Sequence, residues 1–136
     1  MPQAEADGGK AADPPEALYQ TALNDYVKGD FESAIKGFQS YLSRFPKTGR
    51  TPGAHYWLGE AYYSQRDYLQ AILAFEMVIR EYPQSSEVSR SLLREAFSFR
   101  QLGEVAKAIS ILLTLIKKFP RSREARLAQD ALAMGK

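Results

Sequence analysis

Asp67-Tyr68-Leu69-Gln70-Ala71-Ile72-Leu73-Ala74-Phe75-Glu76-Met77-Val78-Ile79-Arg80-Glu81-Tyr82-Pro83 reads as one amphipathic helix with both ends marked. Tyr68, Ala71, Ile72, Phe75, Val78, Ile79 and Tyr82 recur on one face at the helical period. Asp67 with Gln70 predicts a capping box at its start. Pro83 removes a backbone donor and stops it. The pattern returns 37 residues to either side: Ala34-Ile35, Phe38 and Phe45-Pro46 before it, Ala108-Ile109, Leu112 and Phe119-Pro120 after it. A fixed period in the range 20–50 marks an array of one supersecondary unit. Such an array is usually a surface for holding something else.

The intervening segments complete the units. Asp13-Pro14-Pro15-Glu16 opens a first helix, about 14–28, which stops at Gly29. Asp30 caps a second, with Phe31, Ala34, Ile35, Phe38, Tyr41, Leu42 and Phe45 on its face. Thr51-Pro52 opens a third, to about Ser64, and Ser85 or Ser86 a fifth, to about Leu102. The sixth carries Val105, Ala108, Ile109, Leu112, Leu115, Ile116 and Phe119, and Ser122 caps a seventh with Ala125, Ala128 and Leu132 on one face. No segment alternates with period two, so no sheet is expected. Breaks at Gly29, Arg66 and Gly103 fold the helices into antiparallel hairpins. A hairpin cannot cover its own apolar face, so hairpins stack and the last needs a polar-backed cap, the place of helix seven. The expectation is an all-α, right-handed stack of three hairpins, about 14–46, 51–83 and 85–120, with a capping helix over 121–134. Residues 1–13 contain no large apolar residue after Met1 and read as a linker or tag remnant.

At 136 residues the chain suits one domain, and 45% hydrophobic with 25% charged side chains is ordinary for a globular one. No apolar run approaches the ~20 residues that span a bilayer, so no membrane insertion is expected. The absence of cysteine excludes a disulfide framework and thiolate metal sites. The start carries no secretory leader, which fits a cytoplasmic protein or a piece of an exported precursor. The net charge of +2 conceals a split: residues 1–87 carry 8 basic and 12 acidic side chains, residues 88–136 carry 10 and 4. The basic half reads as a solvated end or as a patch for an acidic partner. Nucleic acid is not an expected partner, because the basic residues are spread over helices rather than gathered into an arm or stripe.

The middle unit, His55-x-x-Leu58-Gly59-x-x-Tyr62 … Ala71-x-x-x-Phe75 … Pro83, resembles a tetratricopeptide (TPR) repeat. His55 stands where tryptophan is usual, and Trp57 lies two residues later. The flanking copies depart in their first helices, with Ala22 and Ala96 for the glycine and Asp25 and Phe99 for the tyrosine. The period exceeds the usual 34 residues. The strings Tyr56-Trp57-Leu58-Gly59-Glu60-Ala61-Tyr62-Tyr63, Ala71-Ile72-x-Ala74-Phe75 and Glu81-Tyr82-Pro83-x-Ser85 resemble the C-terminal TPR domain of the periplasmic Tol–Pal-associated cell division coordinators, the YbgF/CpoB type. The resemblance covers about residues 16–134; outer-membrane-assembly lipoproteins share a similar run of repeats. It implies a periplasmic protein that binds the Tol energising protein and coordinates outer-membrane constriction with septal wall synthesis, whose machinery is a further partner. It also implies a longer precursor with a signal peptide and a trimerising N-terminal coiled coil. The chain then reads as the excised domain, a monomer or weak dimer by itself, with residues 1–15 the end of the linker.

Nothing here points to catalysis. His55 is the sole histidine, which makes no metal site, no serine lies in a nucleophile elbow, and Glu60, Glu76 and Glu81 are isolated carboxylates. No enzyme, metal or cofactor is expected. Binding has more support. First helices of a TPR array line its concave face, and aligning the copies gives rows Tyr19, Tyr56, Leu93; Leu23, Glu60, Phe97; and Tyr26, Tyr63, Arg100. Tyrosine combines contact area with a hydroxyl at low entropic cost. The candidate groove residues are therefore Tyr19, Leu23, Tyr26, Tyr56, Glu60, Tyr63, Arg90, Phe97 and Arg100. Tyr19 and Tyr56 suit core and groove equally, whereas Tyr63 and Arg100 suit the groove; Trp57 suits packing or an exposed platform. A carboxylate clamp of the chaperone-tail kind is not expected. Arg90 and Arg94 fall at its third-repeat positions, but Tyr19, Leu23 and Trp57 replace its polar half, and half a clamp loses the fork geometry.

Overall fold

The computed structural model describes residues 14–134 as seven helices, so the Asp13 cap and the 1–13 linker lie outside the described residues. The helices are α1 (Pro14–Val27), α2 (Phe31–Arg44), α3 (Thr51–Ser64), α4 (Tyr68–Glu81), α5 (Val88–Gln101), α6 (Val105–Lys118) and α7 (Arg123–Ala133). No strand occurs among the described residues.

One turn joins each pair. Gly29, Arg66 and Gly103 all take positive φ, at 86°, 64° and 83°. The following N–H groups of Asp30, Asp67 and Glu104 each reach the carbonyl five residues back, at 2.9 Å. This left-handed closure satisfies helix-end carbonyls and suits glycine; Arg66 adopts it at a cost of about 1 kcal/mol. At the far ends, Phe45, Tyr82 and Phe119 share φ of −133°, −132° and −129°, and each N–H closes on the carbonyl four residues earlier. The proline that follows each has no N–H to continue the ladder.

Two starts differ from the sequence reading. Asp67 accepts from the Gln70 N–H at 3.4 Å, but the Asp67 N–H makes no return bond to the Gln70 side-chain oxygen, because it donates to the Tyr62 carbonyl instead. Helix α5 begins at Val88, not Ser85 or Ser86. The Ser85 hydroxyl instead accepts from the Glu87 N–H at 2.9 Å, holding a turn ahead of the helix. Asp30 and Ser122 cap as expected, accepting from the Ser33 and Ala125 N–H groups.

Consecutive helices pack on one another, and α1, α3, α5 and α7 also touch in sequence as one row of first helices. Ala34, Ala71 and Ala108 are buried where helices cross, and Phe38, Phe75 and Leu112 fill the adjoining space. In the first hairpin the close approach needs Gly37, where a Cβ would lie 2.8 Å from the Ala22 Cβ. In the second it needs Gly59, against which the Phe75 ring lies. Helix α7 buries Ala125 and Ala128 and exposes Arg126, Gln129 and Asp130, the polar back of a cap.

One buried acid sits off this pattern. Glu95 on α5 is 6% exposed and shares a recess with Glu76 of α4 and Lys107 of α6. Burial, and then the neighbouring Glu76 carboxyl, push its pKa up to about 8. An acid with a raised folded pKa binds more protons folded than unfolded between the two values, so stability falls as pH rises through that window. The melting temperature is expected to decline from pH 5 to pH 8 and then level off. Glu95→Gln should flatten that decline, and an unchanged slope in the variant would exclude Glu95 as its source.

Candidate partner-binding cleft

The row of first helices carries a cleft of ≈ 250 Å³ between α3, α5 and α7. Tyr56, Glu60, Arg90, Leu93, Arg94, Phe97, Arg123, Glu124 and Leu127 line it. Leu93, Phe97 and Leu127 provide apolar contact, and charges surround them.

Glu60, Arg90 and Arg94 are internally ordered. Tyr56 is the sixth residue of α3, and its hydroxyl reaches Glu60 one turn on, donating at 2.6 Å. Arg94 on α5 reaches across to the other Glu60 oxygen at 2.8 Å. Burial, and then the Glu60 carboxylate, raise the Tyr56 pKa far above its ordinary value, so the phenol remains a donor. The Arg90 guanidinium pairs with Glu87 and stacks over the Tyr56 ring at 4.3 Å. Arg94 stacks over Tyr63 at 4.4 Å. Both clamp-position arginines are therefore paired with the protein's own carboxylates, which adds a second reason against a carboxylate clamp.

The candidate residues divide. Tyr56, Glu60, Arg90 and Phe97 come together at the cleft, Tyr56 and Glu60 as its buried wall, and Tyr63 borders it through Arg94. Tyr19 belongs to the core: it is 3% exposed, with edge-to-face contacts to Phe38 and Tyr41 at 5.6 and 5.5 Å. Leu23 and Tyr26 pack on the core of the first hairpin, Tyr26 against Phe31 and Trp57. Trp57 is thus inter-repeat packing, 5.2 Å from Tyr26 and 5.1 Å from Tyr56, not an exposed platform. Arg100 stacks on Phe97 at 4.6 Å but lines a different recess. His55 packs beside Tyr82, 6.1 Å between centroids, and opens onto a recess with Gln39 and Tyr62; burial lowers its pKa.

Sequence reasoning missed the part that α7 plays. Glu124 and Leu127 come from a helix whose sequence offers a cap and, through Arg123 and Arg126 with Arg121 just before it, a basic contact surface. The 37-residue register contains the signal, since it places Glu124 on Glu87 and Leu127 on Arg90.

Three stacked helical hairpins closed by a cap, with a cleft on the row of first helices, define a TPR-type superhelix. The chain belongs to the family described as YfiO, outer membrane lipoprotein, whose model matches residues 11–135. Tetratricopeptide repeat protein 21B of Mus musculus is 30% identical over 123 residues, 86% of this chain, although the chain spans only 9% of that protein. Solved structures that share the fold include the following two. The type III secretion chaperone SycD of Yersinia enterocolitica, in complex with a peptide of the translocator YopD, has a TM-score of 0.72 at 23% identity, over 93% of this chain and 92% of that one. The N-terminal domain of stress-induced protein-1 from C. elegans has a TM-score of 0.72 at 11% identity, over 85% and 92%. No described helix is long and apolar enough to cross a membrane.

Proposed function

We propose that the protein is a non-enzymatic adaptor of the bacterial periplasm that holds a segment of a partner protein in the cleft between α3, α5 and α7. The observation that carries this reading is the cleft's composition: apolar Leu93, Phe97 and Leu127 among charges of which Glu60, Arg90 and Arg94 are already paired. Pre-paired charges are ordered before a partner arrives, so little side-chain entropy is lost on docking. Family membership supports a place at the outer membrane, and SycD's peptide complex gives a precedent for the fold.

The Tyr56–Tyr63 and Glu81–Ser85 strings support the Tol–Pal reading, with the Tol energising protein as partner, a role in outer-membrane constriction, and a trimeric parent protein. The family match favours a second reading, a scaffold subunit of an outer-membrane assembly platform that binds through its basic end. Titration with the periplasmic stretch of a Tol energising protein, followed by NMR, separates them. Shifts on Tyr56, Tyr63, Phe97 and Leu127 are expected, with weak salt dependence. Leu127→Asp, at an exposed position, should weaken binding about tenfold at unchanged melting temperature. Shifts confined to Arg121 and Arg126, which lie outside the cleft lining, and fading with salt, would transfer the protein to the platform reading.

A further inference from the structure

The corner where each hairpin's first helix ends and its second begins is filled differently along the array. In the first hairpin Tyr26 and Phe31 meet there, ring centroids 5.4 Å apart. In the second, Tyr63 and Tyr68 meet at 5.2 Å. Thirty-seven residues on, the same places hold Arg100 and Val105, and the plug beneath shrinks from Phe38 and Phe75 to Leu112. Three aromatic rings are thus missing from the third corner. A recess of ≈ 260 Å³ remains, walled by Val105, Ile109, Leu112, Ala131 and Leu132 with Arg100 among its lining residues. An apolar cavity of about 150 Å³ already admits a benzene ring.

Two further observations say what would occupy it. Val105 and Ile109 are 43% and 40% exposed, so the recess opens to solvent and leaves apolar surface uncovered. Arg100 is held over the Phe97 ring at 4.6 Å and makes no ion pair among the described residues, so its charge is free to meet an anion. We propose that this corner is a docking pocket for an aromatic side chain of a partner protein carried beside a carboxylate. The ring takes the place that Tyr63 and Tyr68 fill in the second hairpin, and the carboxylate pairs with Arg100. The pocket is separate from the α3–α5–α7 cleft, and the inference does not rest on the function proposed for that cleft.

The test uses the whole chain with labelled methyl groups and three probes: the peptide Ac-Gly-Phe-Asp-Gly-NH2, its Ala-for-Phe counterpart, and free 3-phenylpropionate. The Phe peptide should shift the methyl signals of Val105, Ile109, Leu112 and Leu132, with half-saturation at roughly 1 mM as expected of a small fragment. The Ala peptide should not. Arg100→Gln should weaken the Phe peptide about fivefold, the range of an exposed ion pair. Val105→Phe, which restores a ring found in the other corners, should abolish the shifts at a melting temperature no lower than that of the parent. Leu127→Asp should leave them in place, so failure of the cleft reading is seen independently. Equal shifts from the Ala peptide, or shifts that survive Val105→Phe, would overturn the proposal. So would shifts from 3-phenylpropionate with none from the Phe peptide, which assigns the pocket to a small acid, or self-association abolished by Val105→Phe, which assigns it to a second copy.

Discussion

Replacing Phe75 by alanine is expected to lower the unfolding free energy by about 3–5 kcal/mol, the range for truncating a buried aromatic. Phe75 is fully buried, its ring 5.9 Å from that of Tyr56 and within the cluster that holds Val78, Val88, Leu92 and Ala96. That cluster spans α3 to α7, so the ring belongs to the core that joins the second hairpin to the third. Whole domains are stable by only about 5–15 kcal/mol. In a stacked array, moreover, each unit is held by its neighbours, and a loss at the middle unit weakens both interfaces. Urea unfolding of Phe75→Ala should show a midpoint well below the parent's and a broadened transition as the halves uncouple. An unmoved midpoint would mean that Phe75 is not the plug of the central hairpin, and the repeat register would fail with it.

Gly59→Ala is expected to destabilise by about 1–3 kcal/mol through overpacking, although alanine is the better helix former by about 1 kcal/mol. A Cβ at Gly59 would lie 2.5 Å from Cε1 of Phe75 and 2.8 Å from Cδ1 and Cζ, and a fully buried ring has nowhere to retreat. The third hairpin shows one compensated form of the same crossing, with Ala96 opposite a leucine plug, Leu112, whereas the first keeps Phe38 opposite Ala22 and gives way at Gly37 instead. Gly59→Ala combined with Phe75→Leu should therefore cost less than the sum of the two single changes, because the smaller plug vacates the space the new methyl takes. Additive costs in that double-mutant cycle would show that the two positions do not share it.

The architecture was legible because its causes are local. Gly29, Arg66 and Gly103 occur where the turns require a left-handed residue, Pro46, Pro83 and Pro120 end helices by lacking an N–H, and the apolar faces follow the helical period. Each depends on a few consecutive residues, and repetition at 37 residues multiplies the signal. The errors also fall where a local cue had a competitor: Gln70 found the Asp67 N–H already bonded to Tyr62, and Ser85 closed a turn rather than a helix.

The candidate surface was legible only in part. Alignment placed Tyr19, Tyr56 and Leu93 in one row, and all three are buried in the core, but only Tyr56 and Leu93 also form the wall of a cleft. Equivalent positions meet different neighbours: Tyr19 is closed over by Arg50, 4.6 Å from its ring, and faces Gly53, while α7 stands open across from Leu93. The Glu60–Arg94 pair joins residues 34 apart on different helices, and Arg100 left the cleft for a corner that three smaller or charged replacements had emptied. The sequence by itself therefore determined the helices, their turns and their stacking order, because those follow from backbone chemistry within a turn or two. Only the tertiary structure decided which side chains face a cleft, which pair their charges and where space is left unfilled, because exposure depends on the volumes of neighbours brought in by other repeats.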